Sequence, residues 1–150
     1  MGRAVIMHID DAPWIRGGPR GEGDHPDGGG QLVGDLEKGP WVHVNWLPGG
    51  LVAPPHSHDH EEVMYVLEGG FSMGKRRCGP GTVVYLEAGT QYGFTVWDEG
   101  VRFLNIRSGL ATYAEAGKEA KNPYAGSAAP VRQTSTQDRE WARPRLDDPE

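Results

Sequence analysis

Gly50-Leu-Val-Ala-Pro-Pro-His56-Ser-His58-Asp-His60-Glu-Glu62-Val-Met-Tyr-Val-Leu-Glu-Gly69 is the stretch whose reading decides the fold. Three of the chain's six histidines fall within five residues, and a carboxylate follows. Residues two apart on an extended strand point to the same side. His56, His58, His60 and Glu62 therefore share a face if the strand runs unbroken. Imidazoles and a carboxylate converging on one point suit a divalent transition metal. Pro54-Pro55 holds the backbone extended just ahead of His56. Val63-Met-Tyr-Val-Leu67 carries the strand on with strongly β-forming residues.

The surrounding 150 residues are rich in chain-breaking types, with 23 Gly and 12 Pro. Both disfavour helix, so short strands joined by turns are expected. One domain with a single core fits this length. The net charge of −6 argues against a phosphate-backbone partner, which calls for a basic patch. With Cys78 as the one cysteine, no internal disulfide can form, which suits a reducing compartment. No apolar run approaches a membrane span and the N-terminus has no leader-like segment, so a cytoplasmic, unsecreted protein is expected.

Working outward from the histidines, residues 3–9 read as a short apolar strand that would pair with a neighbouring subunit, with His8 at its edge. Residues 11–30 read as a Gly-rich loop in which His25 is solvated. Residues 31–37 and 41–47 read as two strands. On the second, Trp41, His43 and Asn45 share one face, and the polar pair is expected to be solvent-facing or structural, with support of the site as the alternative if that face lines a cavity. Beyond Gly69, residues 71–73, 76–78, 82–86, 92–97 and 101–107 complete a set of strands with turns every eight to ten residues, the pattern of an all-β sandwich or barrel. Ala111 to Lys121 is rich in Ala, Glu and Lys and predicts one short helix. From about residue 122 an extended tail is expected, with Trp141 as an anchor.

The central motif resembles that of the cupin superfamily. The family's first motif is Gly, five residues, His-x-His, three or four residues, Glu, six residues, Gly. Gly50, His56, His58, Glu62 and Gly69 match it without a gap. The second motif matches in part. Gly81 and Gly89 are present, but Glu87 stands at the usual proline, Tyr92 at the fourth ligand histidine and Val96 at the asparagine. The resemblance covers residues 31–107. It implies a double-stranded β-helix, the jelly-roll barrel, flanked by an N-terminal strand and loop over 1–30 and by a helix and tail over 108–150.

By the same resemblance the metal ligands are His56, His58 and Glu62, and His60 falls in the bend between two strands. Iron(II) is the first choice of metal, with manganese, nickel or zinc as alternatives. Two histidines and one carboxylate leave coordination positions open, which favours a dioxygenase-type oxidoreductase. Isomerase, cyclase, decarboxylase and lyase chemistries occur in the same family, as do metal-free ligand-binding barrels. Tyr92 is the expected proton donor or weak ligand, with Gln91 or His60 as alternatives for completing the coordination. Alternation places Met64 and Val66 on the cavity wall with Phe94. Of Arg102 and Arg107, one facing inward would bind a substrate carboxylate, and Arg102 is the one placed in the cavity. Cys78 reads as structural. A small-molecule substrate and a homodimer are the expected partners, with no nucleic acid and no membrane.

Overall fold

The computed structural model describes residues 6–34, 39–109 and 111–121. Among the described residues, a 3-10 turn, Ile9–Asp11, precedes nine strands: β1 (Trp14–Arg16), β2 (Gly29–Val33), β3 (Trp41–Leu47), β4 (Val52–Ser57), β5 (Glu62–Met73), β6 (Arg76–Cys78), β7 (Val83–Leu86), β8 (Tyr92–Arg107) and β9 (Ala114–Glu115). They form one antiparallel sheet that curls on itself. Its main path runs β1-β2-β3-β8-β4-β9, and β5 joins β8 to β6 and β7. This is the expected all-β jelly-roll architecture.

Two long strands make the curl. β5 spans 12 residues and β8 spans 16. The C-terminal half of β8 lies between β3 and β5, while its N-terminal half pairs with β4. Both strands change direction where they meet. Gly69 has φ +62°, and a Cβ there would run into the Gly100 carbonyl oxygen, so only glycine fits this crossing. The β5–β8 register slips here, between Gly69 and Phe71.

That slip changes which residues face inward, because side chains alternate with a period of two. On β8, Tyr92, Phe94 and Val96 are buried; past the slip, Val101, Phe103, Asn105 and Arg107 are. Even positions give way to odd ones. Arg102, expected in the cavity, therefore lies on the outer face, where it meets Glu68 at 3.5 Å and Asp10 at 3.8 Å. Arg107 takes the inward place.

Leu47, Met64, Val66, Phe71, Cys78, Phe94, Val96, Val101 and Phe103 form the main core with Tyr92. Ile15, Leu32 and Trp41 form a smaller one. Cys78 is a buried free thiol, as a structural reading requires.

Several local expectations differ. Ile9 lies in the 3-10 turn rather than a strand, and residues 6–8 are irregular; residues 1–5 lie outside the described residues. The loop over 11–30 contains β1 and the start of β2, because Trp14 and Ile15 pack against β2 and β3. The helix expected over Ala111–Lys121 is absent. There β9 pairs with β4, and Tyr113 bridges to Lys121. Helix propensity over eleven residues is weak, and an open strand edge outweighs it. The end of the 31–37 strand and the tail from residue 122, with Trp141, lie outside the described residues.

Gly69→Ala is expected to cost about 2 kcal/mol or more, from strained φ and the clash at the crossing. Urea denaturation measures it, and an unchanged midpoint would contradict the crossing as the cause.

Candidate functional site

The inner face of the curled sheet encloses a cavity of about 340 Å³. Sheet register stacks its wall in tiers. Arg107 lies opposite both Trp41 on β3 and Glu62 on β5. One step along, Asn105 lies opposite His43 and Met64; one further, Phe103 lies opposite Asn45 and Val66. The wall is thus charged at one end and turns apolar through Phe103, Phe94, Leu51 and Leu47. β4 adds His56 from the other side, and His58 follows just past its end.

The expected residues come together in part. His56, His58, Glu62, Tyr92, Met64 and Phe94 all line the cavity. Val66 does not: it is wholly buried in the core beneath. Arg102 is outside, as described. Gln91 is exposed, so no register slip brings its amide inward. His60 sits in the bend before β5 with its Nδ1 2.9 Å from Asp59. His43 and Asn45, expected to be solvent-facing or structural, are buried on the cavity wall, because β2 and β8 flank β3 on both sides and its Trp41 face is the concave one.

Glu62 is the centre of the polar end, with 1% of its surface exposed. A buried carboxylate needs partners. The Tyr92 hydroxyl donates to Oε2 at 2.8 Å. The Asn105 amide and the Arg107 guanidinium donate to Oε1, the latter at 3.3 Å. Burial, followed by the adjacent Glu62 charge, pushes the Tyr92 phenol up, so it remains a donor.

Both histidines have their tautomers set by backbone carbonyls, which can only accept. His56 Nδ1 lies 2.7 Å from the Pro54 oxygen and His58 Nδ1 lies 2.6 Å from that of Thr112. Each Nδ1 therefore carries the proton, and each Nε2 carries a lone pair. His58 Nε2 accepts from Arg107 at 3.1 Å. His56 Nε2 has no hydrogen-bond partner among the described residues. Its ring is held between Tyr113, stacked at 4.6 Å, and Tyr92 at 4.3 Å. Burial lowers the pKa of His56. Burial and then Arg107 lower His58 to about 4. Burial, Arg107 and Arg16 lower His43 to about 3.

The donor types His56, His58 and Glu62 are those a transition metal takes, and anchoring through Nδ1 is how metal-bound imidazoles are held. Their other contacts do not fit an ion. Both Glu62 oxygens already accept hydrogen bonds, and the lone pair His58 would give a metal is given to Arg107. Among the described residues, no group of three His, Cys, Asp or Glu side chains is disposed to hold a metal.

Asn105, Thr112 and Tyr113 were not singled out from the sequence. For Asn105 the signal was available: it alternates with Phe103 and Arg107 on one strand. Thr112 and Tyr113 gave none, since their stretch read as a helix.

Residues 42–107 match the family model for the cupin domain. The chain carries a cupin domain over these residues. Among curated proteins, none matches it in sequence. Similar solved structures include an RmlC-like cupin from Ralstonia eutropha, 19% identical, TM-score 0.62, covering 79% of this chain and 76% of that one. A cupin-fold protein of unknown function from the same organism is 14% identical, TM-score 0.65, covering 91% and 89%. The polyketide cyclase RemF from Streptomyces resistomycificus is 20% identical, TM-score 0.59, covering 89% and 97%. At these identities the likeness is one of fold.

The buried histidines predict a pH dependence of stability. Folded pKa values near 3 for His43 and 4 for His58 lie below the unfolded 6.5. The unfolded chain then binds protons that the folded one refuses, so stability is full above pH 6.5 and is lost as pH falls towards 3. The loss is on the order of a few kcal/mol. Thermal melts from pH 8 to 4 should show it, and His43→Gln should flatten the slope.

Proposed function

We propose that this cupin is an enzyme that moves a proton on a small organic molecule, with His56 as the base. The observation carrying the proposal is the unshared lone pair on His56 Nε2 at the polar end of the cavity. Pro54 fixes the His56 tautomer, Tyr92 and Tyr113 hold its ring, and Nε2 is left without a protein partner. A positioned neutral imidazole beside a cavity is suited to general base catalysis. The guanidinium of Arg107, whose Nε has no hydrogen-bond partner among the described residues, is a donor that favours negative charge developing on a substrate oxygen. The apolar wall of Phe94, Phe103 and Met64 would seat the hydrocarbon part. Isomerisation, cyclisation or elimination beside a carbonyl group are reactions of this kind.

A metal-dependent, dioxygenase-type oxidoreductase is the second reading. The Nδ1 anchoring of His56 and His58 favours it. In that case His56, His58 and Glu62 would hold the ion, which would supply Lewis-acid or oxygen chemistry. The hydrogen bonds that Glu62 and His58 already accept weigh against it. A barrel that binds a ligand without turning it over is a third outcome that the following test separates.

The test is deuterium wash-in. A panel of 1,3-dicarbonyl compounds, 2-oxo acids and cyclic enones is incubated with the protein in deuterium oxide and followed by proton NMR. At least one compound should lose its α-proton signal, and His56→Gln should slow this by roughly 100-fold or more. Equal rates in wild type and His56→Gln, or no exchange with any compound, would remove the proposal. Ligand-induced stabilisation without exchange would indicate a binding barrel.

A further inference from the structure

We infer that Arg107 is the permanent cation of this cavity, seated where the His56, His58 and Glu62 donors would otherwise hold a metal ion, so that the site works without one. The inference rests on the reading of the cavity as a reaction site and concerns what supplies its positive charge.

The argument begins with register. Beyond the register slips at Gly69/Phe71 and Val66/Glu68, Arg107 faces inward directly across the sheet from Glu62. One guanidinium nitrogen then reaches both His58 Nε2, at 3.1 Å, and Glu62 Oε1, at 3.3 Å. His58 Nε2 and Glu62 Oε2 lie only 3.6 Å apart. An ion shared by these two side chains would compete with that nitrogen for the His58 lone pair and for Glu62. Arginine keeps its charge at every accessible pH, so the competition is present throughout.

Charge balance points the same way. Glu62 supplies one negative charge, and Arg107 neutralises it. A divalent ion added beside Arg107 would leave the buried cluster with excess positive charge in a poorly solvated place. Tyr92 contributes too. Its hydroxyl bonds Glu62 Oε2, so the carboxylate has no oxygen left over. These residues form one set: a tyrosine on Oε2, an asparagine and an arginine on Oε1, and the same arginine on the histidine.

The site also retains unmet hydrogen-bonding capacity of the kind a small organic molecule or a water satisfies. Among the described residues, Arg107 Nε and Asn105 Oδ1 are buried with no hydrogen-bond partner. The two residues are 8% and 5% exposed and both line the cavity. One is a donor and the other an acceptor. A ligand bearing an oxygen beside a hydroxyl or enol hydrogen matches both, given a small shift of the side chains. Buried unmet groups are rare enough in native proteins to mark a functional place.

The inference makes an unusual demand on the variants: removing the arginine should create a metal site. Wild-type protein purified without chelator is assayed for metal by plasma emission. It is then offered one equivalent of Zn²⁺, Ni²⁺ or Co²⁺, and Fe²⁺ without air. Metal content should be substoichiometric, the melting temperature should not respond to metal or to EDTA, and Co²⁺ should give no ligand-field absorption. Arg107→Ala and the milder Arg107→Gln should bind Co²⁺ and Zn²⁺ at one per chain, at least roughly tenfold more tightly than wild type. Adding His58→Ala to either variant should abolish the gain. A stoichiometric, EDTA-removable metal in wild type would overturn the inference even if both variants fail to fold. So would a metal-free wild type whose folded variants gain no affinity. Neither result depends on deuterium exchange, so failure here is distinct from failure of the proton-transfer proposal.

Discussion

A carboxylate buried to 1% exposure inside a barrel is the constraint on which the rest of this site depends. Glu62 cannot be solvated there, so the fold must bring donors to it. It does so from two places on the sheet: Tyr92 at the start of β8, and Asn105 and Arg107 near its end. Breaking such a buried cluster by removing one partner typically costs about 3–5 kcal/mol. The cluster is therefore a fastening between the two halves of β8 as much as a chemical site. It ties the motif that begins at Gly50 to the strand that ends at Arg107.

The geometry of two long strands makes that fastening possible. β5 and β8 pair along most of their length, yet each belongs to both sides of the curl. A strand that passes from one side to the other must bend, and here the bend shifts side-chain parity. Tyr92 and Arg107 differ in parity along the chain, yet both face inward. Without the shift, Arg107 would face solvent, and Arg102 would occupy the interior in another tier, away from Glu62. The identity of the cation at the centre of the site follows from local irregularities in the β5–β8 pairing, at Gly69/Phe71 and at Val66/Glu68.

The segment after the barrel adds a second constraint. The carbonyl of Thr112 holds His58 in one tautomer, the ring of Tyr113 covers His56, and Asp59 accepts from the Thr112 amide. β9 fastens this segment to the end of β4. The two histidines therefore depend for their orientation on residues outside the matched domain of 42–107. Ala, Glu and Lys in that segment carry a helical preference of a few tenths of a kcal/mol each, and pairing with an exposed strand edge outweighs it.

Much of the fold was legible from residues alone. Turn residues at short intervals and alternating apolar runs define the strands, and the spacing of Gly50, His56, His58, Glu62 and Gly69 places the cluster on the concave side. Met64 and Phe94 followed from alternation because their stretches contain no irregularity. Val66, Arg102, His43 and Asn45 did not follow. Their settings depend on which tier a residue occupies, on a slip between strands and on neighbours distant in sequence. By itself, the sequence determined the strand pattern, the jelly-roll class and the residue types gathered at the site, because these depend on local propensity and a period of two. Only the tertiary structure decided that Arg107 and not Arg102 faces Glu62, that His56 retains a free lone pair and that Tyr113 covers it, because each depends on how segments distant in the chain come together.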